Sequence, residues 1–115
     1  MLRQFRLREG KDFARLRREG RVFHHRWLTL STAPNGLANN RYGFITGKYL
    51  GKAVVRNRVR RLLREATRQL HPHLQPGHDL VFIARQPLVG QPFDVVHRIV
   101  SDLLHQAGVV ESDVS

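Results

Sequence analysis

The stretch from Ala53 to Leu70 constrains this chain more than any other. Advancing about 100° per residue from Val59, the side chains of Val55, Val59, Leu62, Leu63, Ala66 and Leu70 fall within an arc of roughly 100°, the pattern of a helix that buries one face. Asn57, Arg60, Arg61, Arg64 and Arg68 occupy the opposite arc, and Arg56 and Arg58 flank the apolar stripe. Leu70-His71-Pro72 ends the helix, because the residue before a proline disfavours the α region. Surface helices usually alternate sign, yet here Glu65 is the sole acid among six arginines. Like charges at i,i+4 cost a few tenths of a kcal/mol per pair, a penalty that a bound polyanion would remove. The helix therefore asks for an apolar layer on one side and a polyanion on the other.

Charge over the whole chain agrees. The 115 residues carry 20 Lys+Arg against 9 Asp+Glu, a formal charge of +11. Residues 1–70 hold 18 basic and 4 acidic side chains, whereas 71–115 hold 2 and 5. Such a balance self-repels unless a polyanion, here nucleic acid, supplies the missing charge. Seventeen of the basic residues are arginine, whose planar fork pairs with phosphate in a bidentate way. At 13.3 kDa one domain with one modest core is expected. Without cysteine there is no disulfide partner, thiolate metal site or Cys nucleophile. The first 20 residues lack the apolar run of a signal peptide and no stretch approaches the length of a membrane helix, so no membrane partner and a cytoplasmic location are expected.

Residues 11–19 read as a short helix stopped by Gly20. Trp27–Thr32 and Arg41–Thr46 are rich in strand formers and flank the turn cluster Pro34-Asn35-Gly36 with Asn39-Asn40, so they are expected to pair antiparallel. Gly47 and Gly51 bracket a bend. Asp79–Ala84 reads as a buried strand and Phe93–Ala107 as a helix stopped by Gly108. The tail 109–115 is expected to fray. This α-β-β-α-β-α order implies a sheet with helices packed on it.

The nine acids are scattered, so no catalytic residues are expected in the protein itself. His71-x-His73 with His78 and Asp79 offers metal-ligand chemistry but follows a helix end beside prolines, which favours loop histidines over a metal site. Phe13, Trp27 and Tyr49 are aromatics on which unpaired bases could stack or, for Phe13 and Trp27, core residues.

The run Lys48-Tyr49-Leu50-Gly51-Lys52-Ala53-Val54-Val55-Arg56-Asn57-Arg58-Val59-Arg60-Arg61-Leu62-Leu63-Arg64-Glu65 resembles the signature of the bacterial ribonuclease P protein component. The Gly-x-Ala-Val before the Arg-Asn-Arg triplet and the basic pair after it carry the match. Arg6-Leu7 before Asp12-Phe13, Gly20, and Ile83-Ala84-Arg85 extend it over most of the chain. The resemblance implies a single α+β domain, an α/β sandwich of αβββαβα order with a four-stranded sheet and a left-handed crossover, its core about residues 6–108. The extra short strand would fall near Lys48–Leu50. It also implies an RNA-binding subunit that assists a catalytic RNA in removing the 5′ leader of precursor tRNA, with Mg2+ held mainly by the RNA and protein metal sites left open. By analogy Arg56, Asn57, Arg58, Arg60, Arg61, Arg64 and Arg68 would face the RNA subunit, and Phe13, Arg17, Trp27, Ser31, Lys48 and Tyr49 would line the leader cleft. Two departures stand out: Arg17 and Ser31 occupy positions where many relatives have aromatics, and Tyr49 stands where many have a second Lys. Alternation along a strand would put Trp27 on one face with Thr29 and Ser31, as a replacement stacking surface. A ribosomal protein would explain the charge but not the Arg-Asn-Arg run. A DNA regulator would need a helix-turn-helix pair that residues 53–70 do not offer.

Overall fold

The apolar stripe of the central helix finds its layer in strands drawn from both sides of it in sequence. The computed structural model describes residues 5–7 and 10–111. In chain order it comprises α1 (Gly10–Glu19), β1 (Arg21–His24), β2 (Leu28–Pro34), β3 (Arg41–Ile45), a 3-10 turn (Lys48–Leu50), α2 (Ala53–Leu70), a 3-10 turn (His71–His73), β4 (His78–Ala84), a 3-10 turn (Gln86–Leu88) and α3 (Phe93–Gln106). The sheet order is β1-β2-β4-β3. β2 runs antiparallel to β1 and to β4, whereas β3 lies parallel to β4, with α2 as the connection between them.

Alternation along the strands gives the sheet two different faces. Leu28, Leu30, Tyr42, Leu80, Phe82 and Ala84 face α2 and α3, and with Leu63, Val100, Leu103 and Leu104 they form the main core. The rings of Phe44 and Phe82, paired across β3 and β4, stack at 6.0 Å. Burial of about 0.8 kcal/mol per CH2 group makes this layer the principal source of stability. The opposite face carries a smaller cluster of Leu7, Leu16, Ala33 and Val81 beneath α1, with Phe13 and Ile83 against it.

Several expectations need correction. Residues 27–32 and 41–46 do not pair with each other, because β4 inserts between β2 and β3. The fourth strand is Arg21–His24 at the sheet edge, and Lys48–Leu50 is a 3-10 turn instead. Trp27 precedes β2 in the two-residue link that closes the hairpin, where His25 and Leu28 exchange backbone hydrogen bonds of 2.9 and 3.3 Å. The tail is docked as far as Glu111: Val110 bridges Leu74, Gln75 N–H donates to Val109 O at 2.7 Å, and Glu111 N–H donates to His73 O at 2.8 Å. Residues 112–115 of the expected frayed tail lie outside the described residues.

Candidate nucleic-acid interface

α2 buries Val59, Leu63, Ala66 and Thr67, while Leu62 and Leu70 pack at the margin of the same core. This fixes the rotation of the helix and turns Asn57, Arg58, Arg61 and Arg68 fully outward, with Arg56, Arg60 and Arg64 half-buried at the flanks. Asn57 braces the helix: its Oδ1 accepts from Arg60 at 3.0 Å, and Arg60 also donates to Thr46 Oγ1 at 2.5 Å. Arg56 Nε is buried with no hydrogen-bond partner among the described residues. Glu65 neutralises Arg68 through two hydrogen bonds of 2.9 and 2.6 Å, which pull its carboxyl down to about 2. The first turn of α2 holds no acid and Lys52 makes no side-chain cap, so the positive end of the helix dipole adds to the same field.

The face under α1 is best described in rows across the sheet. Ala33, Asp79 and Arg41 form the first row, Ser31, Val81 and Gly43 the second, Thr29, Ile83 and Ile45 the third. Asp79, with no side-chain exposure, organises the first row. Arg41 donates to it at 2.9 and 2.8 Å, Asn35 donates at 3.0 Å, and Arg15 of α1 reaches it as well; Arg41 also pairs with Asp12 of α1 at 3.2 Å. The Asp79 and Asp12 carboxylates hold Arg41 above the usual guanidinium range. In the second row Phe13 lies on Gly43, where a Cβ would stand 3.1 Å from the ring; only glycine lets the ring approach the backbone so closely. The third row is left beyond α1, with Ile83 half-buried and Ile45 39 % exposed.

That uncovered row is the floor of a groove. Phe13 and the exposed Arg17 stand on its α1 bank. At the other end lie exposed Lys48 and Tyr49, the latter 52 % exposed with its hydroxyl donating to Ala84 O. A side chain at Gly47 would collide with the Tyr49 ring. Arg85 crosses the floor to Thr29 Oγ1 at 3.3 and 3.2 Å. Ser31 lies buried in the second row, next to Gly20. Trp27 is not brought to this groove cluster: its ring packs against the main core and stands edge-on to His25 at 5.9 Å, while Phe13 belongs to the smaller cluster. Strand alternation does not reach it, because the strand starts one residue later. Ile45, Thr29, Ile83 and Arg85 were missed as groove residues; the period-2 pattern of the last buried strand held the signal for Ile83.

His71 is engaged with Tyr42, whose hydroxyl lies 2.6 Å from its Nδ1, and burial pushes the Tyr42 phenol up to about 12. Among the described residues no three His, Asp or Glu side chains come together to hold a metal ion, and no helix is long and apolar enough to cross a membrane.

A four-stranded mixed sheet with one arginine-rich helix and a groove beside a second helix defines an RNA-binding α+β domain. The family described as Ribonuclease P matches residues 1–108. A Roseiflexus castenholzii ribonuclease P protein component is 47 % identical over 116 residues, spanning 100 % of this chain and 95 % of the relative, and one from Chloroflexus aggregans is 48 % identical over 93 % of the chain and 80 % of the relative. The solved RNase P protein of Staphylococcus aureus superposes with a TM-score of 0.86 at 28 % identity, covering 93 % of this chain and 98 % of the other; that of Thermotoga maritima gives 0.81 at 28 %, covering 88 % and 96 %. The chain belongs to the ribonuclease P protein family and is a subunit of that ribonucleoprotein endoribonuclease of tRNA 5′ processing.

Proposed function

We propose that the outer face of α2 binds the catalytic RNA of ribonuclease P and that the groove beside α1 holds the single-stranded 5′ leader of precursor tRNA. The observation that carries this reading is the concentration of Arg56, Arg58, Arg60, Arg61, Arg64 and Arg68 on one helix with Glu65 as its only acid. Neutralised phosphates release counterions and repay the repulsion stored on the helix. In the groove, Phe13 and Tyr49 offer apolar surface to unpaired bases while Arg17 and Lys48 meet the leader phosphates. Trp27, packed on the main core, supports the β1–β2 hairpin and is not given a leader contact.

Mg2+ would be held mainly by the RNA and would there supply the chemistry of hydrolysis, activation of water and stabilisation of the leaving oxygen. Among the described residues the donor set does not fit a metal cage: the best-buried carboxylate, Asp79, is committed to Arg15, Arg41 and Asn35. The protein's part is to bring two RNAs together by screening their repulsion, in the cytoplasm. Assays of precursor tRNA with protein alone, RNA alone and both, across a magnesium series, test this. The expected result is no cleavage by protein alone and a lower magnesium requirement for the pair. Metal-dependent 5′ cleavage by nuclease-free protein, or an unchanged magnesium requirement, would overturn it.

A further inference from the structure

α1 is a short helix with little apolar surface to hold it. Of its ten residues only Asp12 and Leu16 are buried, and helices of fewer than about 12–15 residues are marginal on their own. The sheet beneath it presents Ala33, Ser31 and Gly43, small residues over which a helix could slide or roll. Gly43, directly under the Phe13 ring, has no side chain to stop it. The contacts that fix a direction are charged and reciprocal. Arg15 reaches down from α1 to Asp79 and donates to Pro34 O at 2.9 Å, while Arg41 reaches up from β3 to Asp12 at 3.2 Å and holds Asp79 as well. Asp12 and Arg15 lie three apart, on one side of α1. Two such clasps fix both the position of the helix along the strands and its rotation.

An apolar contact would hold α1 down as firmly, because desolvating buried charges offsets most of their attraction. What the charges add is direction, since forked guanidinium donors accept only a narrow range of geometries. We propose that Asp79 is a positioning residue for the precursor: through Arg15 and Arg41 it sets where α1 lies, and so where Phe13 and Arg17 stand beside an incoming leader. The proposal rests on the reading of the groove as the leader site. Asp79 itself touches no RNA. It lies beneath α1 with no exposed side-chain surface, two rows from the groove floor and about 13 Å along β4 from Ile83.

Asp79→Asn separates position from charge. It removes a negative charge from a protein that binds a polyanion, so electrostatics alone would tighten every RNA complex, whereas loss of position weakens the complex with leader-bearing precursor. Measurements are made below each variant's thermal transition, on the full chain assembled with the ribonuclease P RNA transcript. For Asp79→Asn and for Arg15→Met the expected result is a KM for leader-bearing precursor raised about tenfold, the worth of one base stack. Neither kcat nor affinity for the RNA transcript or for mature tRNA should fall. Arg15→Lys keeps the charge but cannot fork to both Asp79 and Pro34, and should lie between. The salt slope of leader binding should stay as it is, because no phosphate contact is lost. In the free protein the Gly43 Hα NMR signals, displaced by the Phe13 ring, should move in Asp79→Asn and Arg15→Met.

Tighter leader binding in Asp79→Asn, or a smaller salt slope in Arg15→Met, would overturn the proposal and leave a direct effect of charge. Equal losses for precursor and mature tRNA, or a loss of affinity for the RNA transcript, would mean a general loss of structure and overturn it too. Leader binding untouched by Asp79→Asn and Arg15→Met but weakened by Phe13→Ala would overturn the positioning role alone. Leader binding that survives Phe13→Ala combined with Tyr49→Ala would overturn the groove reading beneath it.

Discussion

Arg15 and Arg41 turn inward onto a carboxylate with no solvent exposure, whereas Arg58 and Arg61, on the helix across the sheet, stand outward with no carboxylate bonded to them among the described residues. The residue type is the same and the local sequence is basic in both places. What differs is where the counterion comes from. Asp79 lies in the chain itself, 64 residues from Arg15 and 38 from Arg41, so those two arginines hold α1 to the sheet and thereby fix the groove. On α2 the only acid is spent on Arg68, and the remaining charge is left for a partner.

The sharpest way to break this contrast is to remove arginine from each region in turn. Arg41→Ala strips Asp79 and Asp12 of a shared cation and is expected to destabilise the fold by about 3 kcal/mol or more, read by urea unfolding. Arg58→Ala with Arg61→Ala is expected to leave stability within about 0.5 kcal/mol and to lower the salt slope of RNA binding by about 0.7–0.9 per lost phosphate contact. The contrast fails if the stability losses are equal.

A somewhat smaller effect separates the groove from the arginine helix. Tyr49→Ala is expected to weaken binding of leader-bearing precursor by about 1–3 kcal/mol if one base stacks on the ring. Mature tRNA should bind as before. Equal losses on the two substrates would deny the groove a leader-specific role.

Alkaline pH addresses the region between these two. The Tyr42 phenol titrates at about 12 in the fold against an ordinary 10.0. The neutral form is therefore favoured by the folded state, and this contribution is complete below pH 10 and lost as pH climbs toward 12. Arginine stays charged across much of that window, so neither set of guanidiniums should dominate the change. Tyr42→Phe should flatten the stability curve there, at a cost near neutrality of about 1 kcal/mol for the bond to His71. An equally steep loss in Tyr42→Phe would assign it to other groups. The smallest effect is expected from Glu65→Gln, which frees Arg68: melting should barely move, and affinity for RNA at low salt should rise. A fall in affinity would mean that Glu65 orients Arg68 toward the RNA.

Much of this was legible in the chain. Two of the helices and β4 announced themselves through periodicity because each buries one continuous face or run. The outward arginines of α2 were legible for the same reason, since apolar and charged arcs on one helix fix each other. Arg21–His24 was not, because a four-residue edge strand with three exposed positions has little apolar alternation to show. The adjacency of β2 and β3 misled, since a turn cluster says that the chain reverses and nothing about which strand enters the gap. The role of Arg15 and Arg41 was invisible for a related reason: their carboxylate arrives from far along the chain, and spacing carries no trace of it. Trp27 illustrates a narrower limit. Alternation holds only inside a strand, and this residue sits in the turn.

The insertion of β4 between β2 and β3 also orders events in time. On a translating ribosome β1 and β2 can close as a hairpin as soon as they emerge, while β3 has no strand of the sheet to pair with and α2 no finished layer to cover until residues 78–84 appear. At synthesis rates of roughly 5–20 residues per second, that leaves α2 waiting for a few seconds with its apolar stripe uncovered. The sheet is thus completed from its centre, and the arrival of one buried strand joins a nascent hairpin and a stranded helix into the layer that α3, the last element made, then covers.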